Sequence, residues 1–310
     1  MTEKNSMKKI LAAIENGVTP AMATPLDDSG YRVDVAAVQP LVEFLLGAGV
    51  RGLFVGGTTG EGLLLADNER RRLHEAVLDA VGGRVPTLVH VGANNTRDAV
   101  ALAEHAATVG ASGVVAITPT FLPVSDEALL HYFHDVAEAA PETPFFVYDI
   151  PQLAVNGVGP ALLARLGESL PTFAGMKCSR TDAQIIRRLI DAAPPGAAVF
   201  AGNEPIALGS LAMGATGLIT GLSTAVPEPF VALVDAFTAG DIAEARRQQQ
   251  LINRLLTLLP AGARIGAIKV ILEQRGVPVG PAVPPRETPR DLQLWEEMAP
   301  LLEGHLQTTP

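Results

Sequence analysis

The sequence predicts a (β/α)8 barrel over residues 1–239, followed by a helical region over residues 240–310. Three observations carry this. Eight short, β-rich apolar segments recur at 18–25, 52–57, 86–92, 113–119, 144–151, 172–179, 197–203 and 217–223. Most are continuous rather than alternating, as strands buried on both faces are. The intervening stretches carry a helical pattern, and the strand signals stop near residue 240.

The elements follow in order. VTPAMATP opens the series, GLFVGG runs into the glycine-rich GGTTGEG, and PTLVHVG, GVVAITP and PFFVYDIP continue it. TFAGMKCS, AAVFAGN and GLITGLS complete it. ADNERRRLHEAVLDAVG and SDEALLHYFHDVAEAA read as covering helices, and Thr181-x-x-Gln184 reads as a capping box opening the helix after the sixth segment. A doubly wound open sheet fits the same alternation, but eight units in one unbroken series favour closure. Residues 241–259, 264–275 and 289–304 read as three further helices, expected to serve packing or assembly rather than chemistry. Gly47-x-Gly49-x-x-Gly52 matches a dinucleotide fingerprint, yet it follows a helix and precedes a strand, the reverse of the required order.

Bulk properties narrow the function. The net charge of −10 over 310 residues, with no basic cluster, argues against a nucleic-acid partner. The single cysteine, Cys178, excludes an intrachain disulfide and a multi-cysteine metal site, and fits a reducing compartment. The apolar run Ile10–Ile14 after Lys8-Lys9 is too short for a signal peptide, and no segment approaches the ~18 apolar residues of a membrane span. A soluble cytoplasmic protein is the expectation.

FAGMKCSR, residues 173–180, poses the chemical question, because Lys177 lies inside an apolar strand in a chain with five lysines. On a barrel strand the lysine would point inward with Gly175 and Ser179, leaving Met176 and Cys178 against the helices. Tyr148 would share the inward face of its strand with Phe146 and Ile150, and Thr58 and Thr59 would stand at the same barrel end. Such a set suits Schiff-base catalysis on a keto acid. A free lysine titrates near about 10.4, so imine chemistry needs surroundings that favour the neutral amine, and burial among apolar groups does so. A phenol can move protons, while hydroxyls and backbone N–H groups can fix a carboxylate. Each residue also has a plainer reading: a solvent-reaching or paired lysine, a packed tyrosine, an ordinary loop. Cys178 reads as a small buried hydrophobe, His131 and His134 as a surface face, and Lys269 as a snorkelling side chain.

GGTTGE (56–61), VYDIP (147–151), GMKCS (175–179) and AMGATGLITG (212–221), with the ending AIKVILEQRGVPVGPAVPP, resemble in order and spacing the dihydrodipicolinate synthase/N-acetylneuraminate lyase family. The resemblance implies a metal-free, cofactor-independent class I enzyme handling pyruvate and an aldehyde or keto acid, as a homo-oligomer built as a dimer of dimers. Position by position, it implies that Lys177 forms the imine, Tyr148 relays protons, and Thr58 and Thr59 engage the pyruvoyl carboxylate and the tyrosine. Gly57, Ser179, Gly202 and Glu204 would join them in holding substrate. Leu153 stands where the synthase proper resembles an arginine site, which points toward the lyase and 2-keto-3-deoxy sugar-acid aldolase branch. Glu204 supplies only half of the acidic pair expected of a sialic acid lyase, since Pro205 follows it. Phe121 stands where many members carry a tyrosine contributed across a dimer interface. Arg180 is either a surface or ion-paired residue, or a cation gripping the far end of the second substrate. The expectation is therefore a pyruvate lyase or aldolase. Dihydrodipicolinate synthase, a 2-keto-3-deoxy acid dehydratase using the same imine, and a non-catalytic keto-acid-binding protein stand as alternatives.

Overall fold

The computed structural model describes residues 3–305. Seven strands form one parallel sheet in sequential order: β1 (Leu53–Val55), β2 (Thr87–His90), β3 (Gly113–Ile117), β4 (Phe145–Asp149), β5 (Phe173–Cys178), β6 (Ala198–Ala201) and β7 (Gly217–Leu218). The first of the eight segments, expected as a strand over 18–25, is instead an irregular stave. Val18 bridges Leu218 and Ala21 bridges Phe54, both in parallel. The Thr19 and Ala21 N–H groups donate to the Leu218 and Thr220 carbonyls at 2.8 Å, and Phe54 N donates to Pro20 O at 2.9 Å. Pro20 and Pro25 supply no N–H of their own, which interrupts the ladder while leaving enough bonds to close the barrel.

Two layers of core follow from the pleat. Phe54, Leu88, Val115, Phe146, Phe200 and Ile219 fill the barrel interior. Val147, Met176 and Cys178 instead pack outward against helices, so the alternation read from the sequence holds on β4 and β5. It is interrupted near the start of β5, where the β4–β5 register shifts. Gly175 lies there at φ +146°, and a Cβ on it would meet the Ala198 carbonyl oxygen at 2.0 Å. Only glycine fits, and the irregularity sets the register that pairs Lys177 with Tyr148 across the two strands.

Every strand is followed by at least one helix, among them Asp67–Val81 after β1 and Asp126–Glu138 after β3. The helix after β5, Ala183–Ala192, is capped one residue later than the sequence implied. Asp182, not Thr181, accepts the N–H groups of Gln184 and Ile185, at 2.8 and 3.4 Å. The C-terminal helices Ile242–Thr257 and Arg264–Gln274 match expectation, and the third is short, Leu294–Met298 with a 3-10 turn to Leu302. Among the described residues no helix is long and apolar enough to cross a membrane.

Lys269 does not snorkel. It is fully buried, 3.0 Å from the equally buried Glu61 Oε2, and donates to the Pro281 carbonyl at 2.6 Å. Burial pushes its pKa down, opposed by Glu61. Glu61 Oε1 also accepts the Val283 N–H at 2.9 Å. The GGTTGEG turn is thereby bolted to the segment after helix Arg264–Gln274.

His74 and His90 are buried beside Arg70, and burial first, then the neighbouring cation, holds both well below the ordinary 6.5. Arg71 and His105 face His74, and Lys177 faces His90, with the same sign. Both histidines are therefore neutral in the fold. Below about pH 6.5 the unfolded chain takes up protons that the folded chain refuses, so stability falls as pH drops, by up to about 1.4 kcal/mol per pH unit for each. Neither ring nitrogen of His74 has a hydrogen-bond partner. Urea titrations between pH 7.5 and 5.5 should show this slope, and His74→Met should reduce it; an unaltered slope in that variant would contradict the account.

Candidate active site

The strands' C-terminal ends place the chemical side chains in one cavity of about 460 Å³, lined by Thr58, Thr59, Tyr148, Lys177, Ser179 and Glu204 among others. Lys177 is 5 % exposed. Its Nζ lies 4.0 Å from the Tyr148 ring centroid and 4.8 Å from that of Phe54. The Tyr148 hydroxyl and Thr58 Oγ1 are 3.0 Å apart, within one hydrogen bond. Ser179 Oγ sits so close to Gly202 that a Cβ there would stand 2.2 Å from it, and the same Cβ would stand 3.2 Å from Lys177 Cε. Gly202 is thus the gap through which the lysine and the serine share one wall. Thr59 similarly abuts Gly221.

The buried carboxylates near this cavity are each held by something other than Lys177. Glu204 is buried; Leu222 N donates to its Oε1 at 2.6 Å, and Arg264 pairs with its Oε2. Asp149, at the end of β4, takes Arg180 in a two-pronged pair, with Nε at 2.6 Å and Nη2 at 3.1 Å, and also accepts the Val158 N–H at 2.8 Å. Burial raises the Asp149 carboxyl above its usual range, opposed by Arg180 and Val158. Burial likewise lifts the Cys178 thiol to about 11, in keeping with a small buried hydrophobe.

Most residues singled out in the sequence meet at the cavity. Gly57 lies beside it, in an adjoining cavity of about 400 Å³ that shares Thr58, Leu153 and Arg286 with the first and also takes in His90 and Asn94. Arg180 is not a lining residue: its fork is turned onto Asp149 and its third contact is the Val158 carbonyl. That geometry gives the paired reading and leaves no fork for a substrate. Phe121 is 82 % exposed at φ +77° and lines neither cavity, although Thr120 beside it lines the adjoining one. His131 is exposed, and His134 bonds Ser169. The sequence reading missed the C-terminal region's part. Gly262–Gly266, Ile268, Arg286 and Glu287 all line the main cavity. No strand motif marks them; the visible signal was Lys269, an apolar-flanked lysine that needed a buried partner.

Removing Arg180 would strand Asp149 as a buried, unpaired carboxylate. Arg180→Ala should therefore lower unfolding free energy by about 3–5 kcal/mol in urea titrations. A loss below about 1 kcal/mol would mean that the pair is dispensable to the fold.

Comparison with known proteins agrees with this architecture. The model of the dihydrodipicolinate synthetase family matches residues 15–303. An uncharacterized DapA-like lyase of Halobacterium salinarum is 37% identical over 86% of both chains. A 4-hydroxy-tetrahydrodipicolinate synthase of Salinibacter ruber is 36% identical over 79% of this chain and 78% of its own. Among solved structures, the wild-type sialic acid aldolase of Ruminococcus gnavus superposes with a TM-score of 0.89 at 28% identity, covering 95% of this chain and 100% of that one. A prophage protein of the dihydrodipicolinic acid synthase family from E. coli K12, solved in complex with pyruvate, gives 0.85 at 29% identity over 92% and 98%. The chain belongs to the dihydrodipicolinate synthetase family, whose members are lyases.

Proposed function

We propose that this protein is a class I aldolase or lyase that makes or breaks the C–C bond between pyruvate and an aldehyde, on a 2-keto-3-deoxy sugar acid or a related keto acid. The observation that carries the reading is Lys177 set inside the barrel against two aromatic rings, beside a tyrosine hydroxyl joined to Thr58.

The neutral amine of Lys177 adds to the ketone carbon of the keto acid, and the carbonyl oxygen takes up a proton. Loss of water from this carbinolamine, to whose hydroxyl Tyr148 gives its phenol proton, leaves a protonated imine and a phenolate. In the cleavage direction the C4 hydroxyl gives its proton to the Tyr148 oxygen. The C3–C4 pair then moves into the imine as an enamine, and the aldehyde departs. Protonation of the enamine at C3 and hydrolysis of the imine release pyruvate and restore the amine. Condensation runs the same steps backwards. Tyr148 moves the protons, Thr58 orients its hydroxyl, and Thr58, Thr59 and nearby backbone amides hold the keto acid's carboxylate. Because the iminium is the electron sink, no metal is required for the C–C step.

Tyr148→Phe keeps the ring that faces Lys177 and deletes only the proton path. Pyruvate release from a 2-keto-3-deoxy acid should slow by roughly 10²–10⁴-fold, with little change in melting temperature. Near-full activity in this variant would place the proton transfer elsewhere. Leu153 is 61 % exposed and offers no charge at either cavity.

A further inference from the structure

Two arginines line the open end of the catalytic cavity from the C-terminal region, and neither belongs to a strand motif. Arg264 is the first residue of helix Arg264–Gln274; its side chain is 45 % exposed, with one amino group turned to Glu204. Arg286 follows the turn after Val283, with its side chain 37 % exposed. The carboxylate facing Arg286 is Glu61, 3.7 Å away, and that group is already taken by Lys269 and by the Val283 N–H. Among the described residues, the Arg286 side chain makes no hydrogen bond; only its backbone N–H does, to the Val283 carbonyl. Lys177 thus marks the deep end of the cavity and two guanidinium groups mark its mouth, in a chain whose net charge is −10.

From this arrangement we infer that Arg264 and Arg286 form a distal subsite for a carboxylate, so that the substrate is a keto acid with a second carboxylate at its far end. The inference rests on the imine reading above. A keto acid bound through C2 to Lys177, with its first carboxylate by Thr58 and Thr59, extends its tail toward the mouth. A planar carboxylate there meets two planar forks, the geometry that favours paired hydrogen bonds. Both Glu204 oxygens already accept bonds, from Leu222 N and Arg264, so it is a weaker acceptor for sugar hydroxyls than a free carboxylate. Glu204 and the exposed Glu287 also share the rim, which disfavours a dianionic phosphoryl group more than a single carboxylate. Arg286 and Arg264 thus do, from the C-terminal region, the work that Arg180 is prevented from doing by Asp149.

The test compares three 2-keto-3-deoxy acids of six carbons, ending in a hydroxymethyl group, a carboxylate or a phosphate ester. Pyruvate release gives kcat/KM for the wild-type protein, Arg286→Gln and Arg264→Gln. The carboxylate-ended acid should be preferred by the wild-type protein by at least about 10-fold. Arg286→Gln should lose about 10–100-fold on that acid, a loss at least tenfold larger than on its neutral twin, and mostly in KM. Arg286 is exposed enough that folding should survive its replacement, and circular dichroism checks this. Pyruvate-dependent inactivation of the wild-type protein by borohydride, run alongside, tests the imine reading separately. If that inactivation is present but the neutral or phosphate-ended acid is preferred, no acid is cleaved, or Arg286→Gln loses equally on all, the carboxylate subsite is overturned. If that inactivation is absent, the imine reading fails first.

Discussion

The site depends on a distribution of opposite charges that leaves one amine out. Three buried carboxylates stand around the barrel mouth, and each is held by a cation other than Lys177: Asp149 by Arg180, Glu204 by Arg264 and Glu61 by Lys269. Lys177 faces the Phe54 and Tyr148 rings instead. None of the three carboxylates forms an ion pair with Lys177. The arginines beside the site therefore shape its electrostatics through these pairs. They keep these acceptors occupied.

The same pairs build the mouth. Glu61 anchors the turn that carries Thr58 and Thr59, through Lys269 and Val283, to the segment that carries Arg286. Glu204 ties the loop after β6 to the start of helix Arg264–Gln274 and, through Leu222 N, to the turn after β7. A buried pair of this kind adds little net stability over an apolar replacement, yet removing one partner is costly. The C-terminal region is consequently not an independent pack of helices beside a finished barrel. It closes the cavity.

Period and composition made much of this legible in advance. Continuous apolar segments in regular succession read as strands covered on both sides, and pleat parity put Lys177 and Tyr148 on one face. Gly175 shows where parity reasoning reaches its limit: the register shift beside it depends on a close approach to the Ala198 carbonyl that no local pattern encodes. The first stave was readable as β-rich, but Pro20 and Pro25 left it as bridges and not a strand. Arg180 was ambiguous because an arginine at a strand end looks alike whether it meets a substrate or a carboxylate. Asp149, 31 residues earlier, decided the matter. Arg264 and Arg286 were invisible for the same reason: their importance comes from tertiary placement, and exposed arginines in helical or Pro-rich sequence carry no mark of it.

The central claim is that Lys177, alone among the chain's five lysines, carries the reactive amine. Peptide mapping after treatment with pyruvate and borohydride tests it most directly. The account predicts a single reduced pyruvate adduct, on Lys177, with Lys269 unmodified in its buried pair with Glu61. An adduct on Lys269, or no adduct on any lysine, would contradict it.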